Sequence, residues 1–115
     1  MSTPFVSVVV PTHNYGRFVG DALASIRAQT VGDYELLVID DGSTDDTPEV
    51  LARLAEPRLT VRRTDGIGVA AARAMGRDLA RAPYVAYLDA DDLWRPTFLE
   101  RQLALLEAEP AVGFS

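Results

Sequence analysis

The amino-acid sequence predicts an α/β fold built on a mostly parallel sheet with flanking helices. Three observations predict it. Short β-branched apolar runs alternate with segments of helical periodicity along the whole chain. The helical segments are each about ten residues long, the length of a crossover between parallel strands. Polar residues cluster where the apolar runs stop. Strands separated by helices imply right-handed βαβ units, and hence parallel neighbours.

Phe5 to Val10 is a β-branched run stopped by Pro11, and it reads as a buried strand. Phe18, Ala22, Leu23 and Ile26 recur at helical spacing, so roughly Arg17 to Ala28 is an amphipathic helix. Tyr34 to Ile39 is a second strand, ending at Asp40-Asp41-Gly42-Ser43. Thr44 or Thr47 can cap the next helix, with Pro48 tolerated in its first turn and Val50, Leu51 and Leu54 as its apolar stripe. Leu59 to Arg63 is a third, more polar strand, expected nearer an edge. Val69 to Ala80 is an alanine-rich helix whose small residues suit close packing on a sheet. Tyr84 to Leu88 is a fourth strand, ending at Asp89-Ala90-Asp91-Asp92. Pro96 opens a helix through about Glu107, and Ala111 to Ser115 begins to read as a fifth strand. The expectation is a truncated domain, residues 1–115 forming one half, with an uncovered sheet edge through which copies could self-associate.

Composition removes whole classes of chemistry. The chain has 115 residues and no cysteine, which excludes disulfides, zinc–thiolate sites, iron–sulfur clusters and a cysteine nucleophile. All 11 basic residues are arginine. Without lysine there is no P-loop lysine, no Schiff base and no kinase-type ATP lysine. His13 is the only histidine, so multi-histidine metal sites are excluded as well. Net charge is -6, which argues against a nucleic-acid partner. No targeting segment or membrane-length apolar run is visible, and the expected location is cytoplasmic.

Carboxylate, arginine and hydroxyl remain. Ligands of open α/β sheets bind outside the carboxyl ends of the strands. Three strand exits carry suitable groups: Thr12-His13-Asn14, Asp40-Asp41-Gly42-Ser43 and Asp89-Ala90-Asp91-Asp92. Carboxylates converging on one edge repel unless neutralised, and oxygen donors suit Mg2+ or Mn2+, which keep positions open for phosphates. In Asp89-Ala90-Asp91 one carboxylate can reach a ribose hydroxyl or a water on the metal, and the other the metal itself. An isolated Asp-x-Asp is more often just an acidic turn, and Asp-Gly a turn signal; their pairing at two buried strand ends favours a site. Arg73, early in the third helix, can hold a diphosphate by its planar fork or simply pair with Asp78 or Glu49 on a solvated face. His13 could meet a base or be a satisfied turn residue. Trp94 could wall a sugar site or anchor the last helix.

At these residues the sequence resembles the family 2 glycosyltransferases, which have the Rossmann-like GT-A fold. The matching segments are 8–14, 23–30, 35–47, 68–76 and 87–92, in the family's order and spacing over nearly the whole chain. The resemblance implies a donor nucleotide-diphosphate sugar, an acceptor hydroxyl and transfer with inversion. It implies that Thr12 and Asp41 contact the nucleobase, with Asp40 beside them. Arg73 would lie near the base and diphosphate. Asp89 would be the ribose- or phosphate-side member of the Asp-x-Asp motif, and Asp91 its ligand to Mg2+ or Mn2+. Ala74 departs from the asparagine often found there. The catalytic base and acceptor-binding elements are expected beyond Ser115, and the full-length protein in the cytoplasm or at the cytoplasmic face of the membrane.

Two other readings compete. Gly66-Ile67-Gly68-Val69-Ala70-Ala71 fits the glycine pattern of a dinucleotide-binding turn, with Asp89 roughly twenty residues on. That reading leaves Asp40-Asp41 without a purpose. A phosphoacceptor domain of similar βα rhythm would need a lysine, and there is none.

Overall fold

The computed structural model describes residues 4–30, 32–54, 56–90 and 93–102. The elements run β1 (Val6–Thr12), α1 (Val19–Arg27), β2 (Tyr34–Asp41), α2 (Thr47–Arg53), β3 (Leu59–Thr64), α3 (Val69–Leu79) and β4 (Tyr84–Tyr87). Residues 98–102 are also helical. The rest of the expected last helix and the expected fifth strand lie outside the described residues.

The four strands form one parallel sheet in the order β3-β2-β1-β4. Strand order therefore reverses between β1 and β4, and a crevice opens at their carboxyl ends. Because side chains alternate across a strand, β1 serves two layers. Val6, Val8 and Val10 join Val19, Leu23 and Ile26 of α1 in one core, with Leu51 of α2. Val9, on the other face, lies against Gly76 of α3. There a methyl group on Gly76 would collide with Val9, so the helix can approach β1 closely only because residue 76 has no side chain.

β1 continues through Pro11 instead of stopping before it. Val9 turns its carbonyl to β4, where Leu88 donates to it at 3.0 Å. Two residues on, the missing proline N–H faces the same side, past the end of β4, so no ladder bond is lost. β2 likewise extends to Asp41, since Asp40 and Asp41 pair in register with Arg63 and Thr64 of β3. β3 and β4 are the two edges of the sheet. Neither Thr44 nor Thr47 caps α2 with its side chain; Asp45 accepts the amide and hydroxyl of Thr47 instead.

At the amino ends of the strands, Glu35 is 5% exposed. It accepts from the Ser7 hydroxyl, and from the Arg81 amide and guanidinium at 2.7 and 3.1 Å. This buried carboxylate ties the α3–β4 connection to β1 and β2, at the end of the sheet away from the crevice. No helix among the described residues is long and apolar enough to cross a membrane.

Candidate functional site

The crevice at the carboxyl ends of β1 and β4 is a cleft of about 390 Å³. Thr12, His13, Asp41, Arg73 and Asp89 line it. Residues from three strand exits and the α3 helix thus meet in one place. Asp91 and Asp92 lie outside the described residues.

Asp40 does not line this cleft. The alternation of β2 turns its side chain to the opposite face from Asp41. There it is 2% exposed, paired with Arg63 at 2.8 Å and accepting the Ser43 amide at 3.2 Å. Arg63 also donates to the Ser43 carbonyl at 2.6 Å. The expected cluster of carboxylates is divided: Asp40 is neutralised within the fold, and Asp41 and Asp89 remain at the cleft.

Asp41 anchors a loop. Its Oδ1 accepts from the Thr64 hydroxyl and the Ile67 amide, both at 2.7 Å, and its Oδ2 accepts the Gly68 amide at 2.8 Å. The Thr64 hydroxyl bond is the largest cause of an Asp41 pKa below the usual carboxylate range; burial opposes it, and the loop amides reinforce it. These amides are the ones a dinucleotide pyrophosphate would need in a glycine-rich turn. Asp41 occupies them, so the dinucleotide reading is not favoured.

The β1 exit is clamped to the β2 exit. Asn14, at φ 57°, accepts the amides of Thr44 and Asp45 at 2.7 and 3.2 Å with its side-chain oxygen. Its own amide donates to Ser43 Oγ at 2.9 Å. His13 Nδ1 stands 2.6 Å from the Asp41 carbonyl oxygen, a contact that requires an Nδ1–H. The ring lines the cleft with that nitrogen already engaged.

Two buried atoms of the cleft residues have no protein partner: Thr12 Oγ1 and Arg73 Nε. A buried polar atom left unpaired costs free energy, so such atoms in a cleft wall point to a ligand. Arg73 Nη2 meets Asp89 Oδ1 at 2.9 Å, with side chains 42% and 53% exposed. An ion pair so exposed contributes at most about 1 kcal/mol, and a bound anion can displace it at little cost. Beyond Asp89 a second cavity of about 570 Å³ shares Arg73 and Asp89 with the first. Trp94 and Phe98 line it, with ring centroids stacked at 4.5 Å.

Arg63 and Thr64 were not among the residues the sequence singles out, and Asn14 was named there only as part of the first strand exit. Each acts through register or loop geometry. Only Asn14, two residues past β1 and of a type that tolerates positive φ, offered a signal.

Comparison with known proteins gives a consistent result. The family model described as glycosyl transferase family 2 matches residues 7–115. An uncharacterized glycosyltransferase of Nostoc sp. is 34% identical over 111 residues, covering 94% of this chain and 34% of its own. The mannosyltransferase PcManGT of Pyrobaculum calidifontis, solved with GDP-Man and Mn2+, superposes with a TM-score of 0.84 at 31% identity, covering 92% of this chain and 33% of its own. TarS of S. aureus, solved with UDP-GlcNAc, superposes with a TM-score of 0.82 at 27% identity, covering 90% and 31%. The chain spans about a third of the length of these three relatives. The four-stranded parallel sheet with its flanking helices is therefore a GT-A-type arrangement.

Proposed function

The chain belongs to glycosyl transferase family 2, and on that premise we propose that it binds the nucleotide-diphosphate sugar donor of an inverting, metal-dependent glycosyltransferase. The observation that carries the proposal is the pair of buried, unpartnered atoms in one cleft, Thr12 Oγ1 and Arg73 Nε, beside Asp41 and Asp89. They are a hydroxyl that can donate or accept and a guanidinium donor. A base edge satisfies the first and a diphosphate oxygen the second.

Asp89 is the carboxylate at the cleft that can serve a divalent cation. Asp89 gives one oxygen to Arg73 and is 53% exposed, leaving acceptor capacity toward the cleft. Among the described residues no three potential ligands cluster. Mg2+ and Mn2+ sites that use phosphates commonly take only one or two carboxylates. Asp91 would hold the ion, with Asp89 on the ribose or phosphate side. When bound, the ion supplies Lewis-acid stabilisation of the departing diphosphate.

The chain's own contribution is orientation. Asp41 fixes the 64–68 loop beside the base, and Arg73 exchanges its contact with Asp89 for the diphosphate. An acceptor hydroxyl then attacks the anomeric carbon from the face opposite the leaving group, as its proton passes to a base not assigned among the described residues. The C–O bond to the diphosphate breaks as the new one forms, which inverts the carbon.

Calorimetry against UDP, GDP and their sugars, with and without Mn2+, tests the reading. We expect binding that strengthens with Mn2+, and loss of that gain in Asp91→Ala. Equal titrations of wild type and Asp91→Ala would refute the metal assignment, and no binding of any nucleotide diphosphate would refute the function.

A further inference from the structure

The chain is pinned on either side of the acidic motif. Before it, the Leu88 amide donates to the Val9 carbonyl at 3.0 Å. After it, residues 94–99 are held by the carboxyl end of α1. Ser25 Oγ accepts the Trp94 amide at 3.2 Å while donating to the Ala22 carbonyl at 2.6 Å. Gln29 Nε2 donates to the Arg95 carbonyl at 2.7 Å and to the Ser25 carbonyl at 3.0 Å. Its Oε1 accepts the Leu99 amide at 3.0 Å. The Thr30 amide completes the clasp by donating to the Pro96 carbonyl at 2.9 Å.

Gln29 is 8% exposed. Burying a primary amide costs free energy unless it is paired, and an apolar side chain of the same size would fill the space without that cost. What the amide adds is direction. It holds two backbone groups, four residues apart, in one fixed relation to α1. Trp94 and Phe98, stacked on each other, line the cavity that shares Arg73 and Asp89 with the cleft.

We infer that Gln29, assisted by Ser25, is a positioning residue for the metal side of the cleft. It fixes the chain from Trp94 to Leu99, directly after the acidic motif, without lining the cleft itself. This inference rests on the proposed donor-binding function.

Trp94 is the only tryptophan, so its fluorescence reports on the clasp in the metal-free protein. The informative variants are Gln29→Met, which keeps size and removes the hydrogen bonds, and Ser25→Ala. We expect both to raise acrylamide quenching of Trp94. Metal-free affinity for UDP or GDP should stay at the wild-type value. The gain in affinity on adding Mn2+ should fall by about tenfold, the low end of what outer support of metal ligands contributes. Should Gln29→Met fail to fold, Ser25→Ala carries the same comparison. A wild-type Mn2+ gain in the folded variants overturns the inference. So does an equal loss of metal-free binding, which would mark a general structural defect. A wild type that binds nucleotide diphosphate with no Mn2+ gain overturns the metal reading and this inference with it. A gain intact in wild type and in the Gln29 and Ser25 variants sinks only the inference.

Discussion

Asp40 and Asp41 share a side chain and differ in surroundings, because successive strand residues face opposite sides of a sheet. Asp40 spends its charge on Arg63. Asp41 spends most of its acceptor capacity on Thr64 and two loop amides. Thr64→Val removes a charge-assisted hydrogen bond, and we expect it to cost about 1.5–3 kcal/mol at neutral pH. The sign with pH follows from the depressed Asp41 pKa. The stabilisation is fully present above the unfolded carboxylate pKa of about 4 and fades as pH falls through the lower folded value. Denaturation curves should therefore show the gap between wild type and Thr64→Val wide at pH 7 and narrowing below about pH 4. A gap independent of pH would show that the hydroxyl does not act through the carboxylate.

α3 and β1 show how closely two elements can meet when one residue is bare. Alanine in place of a mid-helix glycine normally stabilises by about 1 kcal/mol. Here the added methyl would collide with Val9, which is stiff and fully buried. We expect Gly76→Ala to destabilise by about 1–3 kcal/mol, the cost of overpacking, measured by urea unfolding. A stabilised variant would show that the helix can move away from the sheet. Much at this scale was legible in the sequence. Each strand and its helix announced itself by a change of apolar period, and the polar β3 was foreseen as an edge. Pro11 was misleading because its tolerance depends on where β4 stops, which is a fact about a different segment. The site was half legible for the same reason. Asp41, Arg73 and Asp89 stand at strand exits or at the start of a helix, so topology alone gathers them. Asp40 lies next to Asp41 in sequence, yet its partner Arg63 comes from a register between strands that no local pattern displays.

The whole molecule carries a net charge of -6, and several carboxylates are held below their ordinary range. Ser7 and Arg81 hold Glu35 down against the burial that would raise it. Thr47 does so for Asp45 and Arg58 for Glu56. Each, like Asp41, adds stability above about pH 4 and loses it as pH falls through the folded value. Melting temperature should therefore be nearly level from pH 5 to 7 and drop steeply below about pH 4. A curve as steep above pH 5 would place the titrating groups elsewhere.

The Asp41 carboxylate seated on the glycine turn has one more consequence. It is a built-in counterfeit of a phosphate group, supplied by the protein to itself. The turn is full before any visitor arrives, so its amides are already spent on a group of the protein's own. Emptying it, as in Asp41→Gly, should unseat the loop instead of creating a new anion pocket, because the counterfeit is also the bolt that holds the turn closed.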